Sequence, residues 1–316
     1  MLKRFFLFVL VISGLSCGIA YGMQFVEIKN FGNGILEMPV TVEIDGKFCY
    51  VLEASSGAVN QFALNGKWIR AIGGRGQGPG KLSNPFGFHV QDGKLYLLNY
   101  LPPQLAVYET STGRFRFVMR IPVGTAMGMA MNGTDCFILT NGFGSLNGNG
   151  KLVIKMKLEG NHLERQSAFK NAREGDKSSR QSLTENQGVC STGVGLVTFA
   201  FIYDNAVFQF DMNGTLVSTN HLPIQRQPLK VKRRGSRATY SKGTIMDMQT
   251  VGNVVWILAN EPGVSSHSVL FSFDRGKIVR IHDFKRELRS FAVAEHNLFV
   301  VDQEEVLIRV YKIENE

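Results

Sequence analysis

The chain has 316 residues, 44% of them apolar and 19% charged, with a formal charge of +9. This composition excludes a disordered polymer, and four cysteines are too few for a disulfide scaffold. The positive balance permits an anionic partner without naming one. Thirty-four glycines against nine prolines, with few long helical patterns, favour many short strands and tight turns.

The N-terminus reads as an address. Met1–Arg4 is a short basic start, Phe5–Leu15 is an apolar run, and Ala20-Tyr21-Gly22 offers small residues around a cut before Met23. The run is too short to cross a bilayer, which takes roughly 20 apolar residues. A secretory signal peptide is expected over residues 1–22, with a periplasmic or secreted chain from 23 onward. Losing Lys3 and Arg4 lowers the charge from +9 to +7. The alternative is a lipid anchor through Cys17, but the preceding leucine, Leu15, stands in the wrong slot for that signal. No later stretch is apolar for long enough to span, so the cleaved chain is expected not to be an integral membrane protein. Cys49, Cys136 and Cys190 remain, an odd number, each in an apolar run, and read as small core residues.

From residue 23 onward one unit repeats. Its strongest strand is seen at Phe48–Leu52, Lys94–Asn99, Cys136–Thr140, Leu196–Phe201, Val254–Ala259 and Asn297–Asp302. Three of the five spacings are 41–46 residues, within the ~40–50 of a four-stranded propeller blade. The two longer ones contain insertions at Lys170–Asn186 and Pro223–Gly243. Turn pairs such as Asp45-Gly46, Asn65-Gly66, Asp92-Gly93, Asn213-Gly214 and Arg275-Gly276 separate the companion strands. The same turn role accounts for Asn132-Gly133-Thr134 and Asn213-Gly214-Thr215, which also match a glycosylation acceptor. The sixth unit stops one strand short, and Gln24–Lys29 is a spare strand at the other end. The reading is therefore all-β: a single domain over 23–316, a six-bladed β-propeller closed by an N-terminal strand completing the last blade.

The segment Gly73-Gly74-Arg75-Gly76-Gln77-Gly78-Pro79-Gly80, followed by Asn84-Pro85, resembles the blade-joining segment of NHL-repeat proteins. It is most similar to the linker of exported bacterial six-bladed propellers of that group. The other joints are degenerate. A phosphate loop is not implied, because neither a helical pattern nor a Lys-Ser/Thr pair follows the glycines. Trp-Asp and Gly-His dipeptides are absent and Gly-Gly occurs only at Gly73-Gly74, which excludes WD40 and kelch patterns.

In such a blade, the joints and the loops between second and third strands share one face. That face is expected to be basic. Lys170, Arg173, Lys177 and Arg180 fall in one insertion; Arg226, Lys230, Lys232, Arg233, Arg234, Arg237 and Lys242, beside Tyr240, fall in the other. Arg75, Gln77 and Lys81 come from the glycine joint. The leading expectation is a binding module without a cofactor, recognising an acidic protein, peptide or glycan through Arg75, Gln77, Arg233, Arg234, Arg237 and Tyr240. The bland alternative is that these charge runs are solvated loops. Nucleic acid is not expected, since stacking aromatics are sparse there.

Enzyme readings rest on resemblance. Zinc lyases of the NHL type gather histidines at the channel, but here only His89 falls on an inner strand, where it reads as a hydrogen-bonded residue. Calcium-dependent lactonase propellers place Glu, Asn and Asp at the channel mouth. Glu37, Asn186 and Asp247 precede or open inner strands one, four and five, so a calcium-dependent lactonase-like or esterase-like hydrolase is the alternative.

Overall fold

The computed structural model describes residues 23–142, 150–171, 184–227, 229–234, 237–261 and 267–315. The expected signal segment, Cys17, and Arg173, Lys177 and Arg180 lie outside them. Among the described residues there is no helix long and apolar enough to cross a membrane.

Strand β1 (Met23–Phe31) stands apart from its neighbours in sequence. Blade one is β2 (Pro39–Asp45), β3 (Phe48–Glu53), β4 (Ala58–Ala63) and β5 (Trp68–Gly73). Blade two is β6 (Pro85–Gln91), β7 (Lys94–Asn99), β8 (Gln104–Glu109) and β9 (Phe115–Arg120). Blade three is β10 (Gly128–Asn132), β11 (Asp135–Leu139), β12 (Lys151–Glu159) and β13 (His162–Asn171). Blade four is β14 (Gly188–Gly193), β15 (Leu196–Phe201), β16 (Ala206–Asp211) and β17 (Leu216–His221). A two-stranded hairpin, β18 (Val231–Arg234) and β19 (Arg237–Tyr240), follows. Blade five is β20 (Ile245–Val251), β21 (Val254–Asn260), β22 (Ser268–Asp274) and β23 (Lys277–Phe284). Blade six is β24 (Leu288–Ala294), β25 (Asn297–Asp302) and β26 (Leu307–Asn315), completed by β1.

The result is the six-bladed propeller expected from the repeat, and β1 closes it. It runs antiparallel to β26, from Met23 opposite Asn315 to Phe31 opposite Ile308. Without it, β26 would present an open row of backbone donors and acceptors.

The second strand of each blade is a continuous apolar run because it is buried on both faces. Cys49 and Val51 of β3 pack with Phe299 and Val301 of blade six, while Tyr50 and Leu52 pack with Leu95 and Leu97 of blade two. Six such clusters fill the six gaps between neighbouring blades. Cys49 and Cys136 are buried, Cys190 is half-buried, and all three are free thiols. The first-blade turn is made by Gly46 at φ 56°, and the Asn213-Gly214 turn has Gly214 at φ 89°, a left-handed region glycine enters without strain.

Two features depart from the sequence reading. The basic insertion after blade four carries a hairpin, with Val231 opposite Tyr240 and Arg234 opposite Arg237, rather than solvated loop alone. Blade three has unusually long outer strands, β12 and β13, which the sequence did not mark clearly; Lys151 to Glu159 pairs with Asn171 to His162.

Candidate functional site

Antiparallel pairing places the joints and the second-to-third-strand loops at one end of the blades, called the top here. The first strands line the central channel. In five of the six blades a polar residue at or just past the end of the second strand organises this top end; blade four has Phe201 there. The buried Glu53 carboxylate accepts from the Glu37 and Met38 amides at 2.8 and 2.5 Å. Asn99 accepts from the Asn84 amide at 2.7 Å and donates to Pro102 O at 2.7 Å. Thr140 accepts from the Gly142 amide, Asn260 donates to Gly243 O, and Asp302 accepts from the Glu304 and Glu305 amides. Each thereby fixes a joint or loop whose backbone groups lack strand partners.

The channel wall is laced by side chains that cross from one inner strand to the next. Glu43 of β2 accepts from the Val90 amide of β6 at 2.9 Å and lies 3.3 Å from His89. Gln91 reaches Gly133 O at 2.7 Å, and Thr192 of β14 reaches Met131 O of β10 at 2.9 Å. Ser191 and Thr250 join β14 to β20 at 2.8 Å. Asp247 of β20 accepts from Ser290 Oγ at 2.6 Å and the Phe291 amide at 3.1 Å on β24. Ser290 Oγ in turn accepts from the Val42 amide of β2 at 3.2 Å, and the circuit is complete. His89 is the hydrogen-bonding inner-strand residue the sequence implied. Burial pushes its imidazole down, and the Glu43 carboxylate outweighs that and raises it. The other described histidines are not on inner strands: His162 and His296 sit at bottom turns, His221 and His282 on outer strands, and His267 just ahead of β22.

Asp247 is a wall residue. Burial raises its carboxyl to about 6, against hydrogen bonds from Ser290, Phe291 and its own neighbour Met248. A cation at Asp247 would have to compete with these three donors. Glu37 is exposed in the joint ahead of β2, and Asn186 is buried just ahead of β14. No group of three or more His, Cys, Asp or Glu side chains among the described residues could hold a metal.

The glycine joint forms a compact top-face loop. The Arg75 amide donates to Ser56 O at 2.8 Å, and Arg75 and Leu82 form a parallel bridge. Lys81 Nζ donates to Gly73 O at 2.5 Å, and Tyr108 donates its hydroxyl to Gly80 O. Gly74 at φ 112° and Gly76 at φ 150° supply the conformations it needs. Arg75 and Gln77 are exposed on it. A Cβ at Gly57 would lie 2.9 Å from Arg75 Cγ and 2.8 Å from Pro85 Cγ. The arginine stem therefore lies beside the start of β6, next to the exposed Phe86. The side chains of Arg233, Arg234, Arg237 and Tyr240 lie outside what the structure describes; only their backbone placement on β18 and β19 is given.

A cavity of about 380 Å³ opens at the top between blades four, five and six. Its walls come from the joint before β20 (Lys242, Gly243), the joint before β24 (Glu287) and the inner strands (Met246, Arg289). The loops after β15 and β25 add Tyr203 and Gln303. Lys242 is paired with Glu287 across it. Gln303 donates to Pro39 O at 2.9 Å, which ties the cavity rim to the start of β2. Of these residues, only Lys242 was singled out from sequence. The cavity could have been approached from the joints, since Lys285–Glu287 is a short charged joint. Nothing in the linear pattern, however, brings residues 203, 242, 289 and 303 together.

No family model matches the chain, and no curated protein matches it. Its fold is similar to several solved structures. A Bacteroides fragilis protein described as exported is 8% identical, covers 93% of this chain and 95% of its own, and has a TM-score of 0.59. A member of the DUF4221 family from Bacteroides vulgatus is 11% identical, with coverages of 93% and 99% and a TM-score of 0.58. A streptogramin B lyase is 8% identical, with coverages of 92% and 97% and a TM-score of 0.53. At these identities the likeness establishes the architecture alone: this chain is a six-bladed β-propeller.

Proposed function

We propose that the chain is an exported binding module whose top face takes an acidic segment of protein, peptide or glycan. The observation that carries this reading is the top-face cavity, where three joints and loops converge beside an otherwise laced channel. Concave sites with a few convergent polar groups are where folds hold ligands. Arg75 and Gln77 on the glycine joint, and the basic β18–β19 hairpin in the joint ahead of β20, would add charge-assisted contacts. The export reading rests on the signal pattern in residues 1–22 and agrees with the exported description of one structural neighbour. The NHL-like reading rests on the glycine joint.

The test is binding of the chain from Met23 to poly-glutamate and to a uronate oligosaccharide at low and high salt. Affinity for the true ligand class falls at least tenfold between 50 and 300 mM salt, as screening of several exposed charges requires. The triple variant Arg233/Arg234/Arg237→Ala weakens it further. Binding that ignores both salt and these substitutions overturns the reading. The metal-assisted alternative, a hydrolase with calcium on Glu37, Asn186 and Asp247, has its own test. One calcium per chain that Asp247→Ala abolishes would support it, and a metal-free chain inert to lactones and esters would end it.

A further inference from the structure

The cavity between blades four, five and six has a pinned frame. The Gln187 amide donates to Thr184 O at 3.1 Å, and its carbonyl accepts from the Ile202 amide at 3.0 Å. Ile202 O in turn accepts from the Thr244 and Ile245 amides at 2.6 and 3.0 Å. Ser241 Oγ accepts from the Lys230 amide at 2.8 Å, and Gly243 O accepts from Asn260 at 3.3 Å. A Cβ at Gly243 would stand 2.2 Å from Ile202 Cγ2, so the joint ahead of β20 passes directly against the loop after β15.

Two polar side chains on this frame are unengaged. Lys242 pairs with Glu287, Gln303 donates to Pro39 O, and Glu304 has a partner of its own. Arg289, which is exposed, and the half-buried Gln187 make no side-chain hydrogen bond or ion pair among the described residues. The charges of the lining cancel, Lys242 and Arg289 against Glu287 and Glu304. That balance decides the ligand class. A phosphate or sulfate brings acceptor oxygens to two carboxylates, which are themselves acceptors only. An acidic side chain of a peptide brings its carboxylate on an apolar stem, whereas eight of the twelve lining residues are polar. A uronic acid brings both things the wall lacks. Its planar carboxylate matches the guanidinium fork. Its hydroxyls each donate and accept, so they suit the Glu287 oxygens and the Gln187 amide alike. The C–H face of the ring can lie on Ile202 and Met246. A volume of about 380 Å³ is at the lower end for ligand sites, roughly 300–1,000 Å³, which suits one sugar residue rather than a length of chain.

We infer that the top cavity takes one uronate unit of an acidic glycan, with Arg289 holding its carboxylate and Gln187 one of its hydroxyls. This rests on the binding-module reading and narrows it to one cavity and one ligand class.

The experiment is titration calorimetry of the chain with trigalacturonate, triglucuronate, the methyl esters of both, poly-glutamate and inorganic phosphate. One of the two uronates binds at one per chain, and its methyl ester binds at least tenfold more weakly. Arg289→Gln weakens the acid at least tenfold and leaves the ester unchanged, so the two losses do not add. Gln187→Leu weakens the acid about three- to tenfold, the size of one neutral hydrogen bond. Arg289→Lys restores part of the affinity. Unchanged thermal unfolding of the variants shows that the fold is intact. Failure of both uronates to bind, equal binding of acid and ester, or a uronate that binds Arg289→Gln as well as wild type overturns the inference. So does Arg289-dependent binding of poly-glutamate or phosphate in place of the uronates. If acidic ligands bind through the β18–β19 arginines while Arg289→Gln is silent, only the inference fails and the broader reading stands. If neither uronate nor poly-glutamate binds at low salt, both fail.

Discussion

Replacing Arg309 with methionine should unlatch the strand that closes the ring. Arg309 is buried on β26 and reaches three carboxylates. Its Nε donates to Asp302 at 2.8 Å, and its terminal nitrogens reach Glu27 of β1 and Glu305, each at 2.6 Å. Asp302 is buried and retains Arg286 at 2.9 Å and two backbone amides when Arg309 is lost. Removing one partner of a buried pair costs about 3–5 kcal/mol. The partners left to Asp302 place this case at the lower end, about 3 kcal/mol. Unfolding entropy for a chain of this size is roughly 0.6 kcal/mol/K, so Tm falls by about 5 °C. Glu27 is partly exposed, so Glu27→Gln costs only about 1 kcal/mol. Urea unfolding at pH 7 measures both, and hydrogen exchange should show β1 amides losing protection before those of blades two to five. The wild type also loses this contribution in acid. Burial pushes the Asp302 carboxyl up, but hydrogen bonds from Arg309, the Glu305 amide and Arg286 outweigh it and hold it below its ordinary value. The stability it brings is therefore present above the ordinary carboxylate range and is lost as pH falls through the lowered value. An Arg309→Met chain within 1 kcal/mol of wild type, or β1 protection that does not change, would refute the latch.

Three further outcomes are expected. Asp247 titrates near 6 in the fold against about 4 when unfolded, so its contribution is full below pH 4 and falls by about 2–3 kcal/mol as pH rises through 6; in Asp247→Asn the urea midpoint should lose that slope, and a slope equal to wild type would count against a buried carboxylate there. Gly188→Ala places a Cβ 2.4 Å from the buried Phe199 ring and 2.8 Å from Ala200 O, so it should destabilise by about 1–3 kcal/mol in urea, whereas Gly195→Ala, with open space around it, is limited to the strain of its positive φ. Burial raises the thiol of Cys49 beyond the ordinary range and that of Cys136 to about 12, so a thiol reagent at pH 8 should label neither in the fold and both in urea.

The architecture was legible because the second strands announce themselves. Lys94–Asn99, Leu196–Phe201 and Asn297–Asp302 match β7, β15 and β25 end to end, since a strand buried on both faces must be apolar throughout. The missing outer strand of blade six and the spare Gln24–Lys29 could be paired by counting alone. The site was less visible. Asp247, Ser290 and Val42 form one chain of hydrogen bonds, yet they sit on three blades far apart in sequence, and a polar residue on an inner strand looks like ordinary alternation. The polar residues that end the second strands were on the page as Asn99 and Asp302, but their role depends on which loop folds back over them. Charge runs drew attention to Arg233, Arg234 and Arg237, whereas the cavity residue Arg289, on β24 just past a degenerate joint, carried no signal of its own.

The closing pair of strands also fixes which way the molecule points. β1 climbs from Met23 to the first joint and β26 descends to Asn315, so both ends leave the ring side by side at the bottom of blade six. The cavity and the glycine joint open at the opposite pole. A tether, tag or surface attached at either end therefore holds the propeller by its base and turns the mouth outward. Immobilised through its C-terminal end, the ring would present the cavity and the glycine joint to solution.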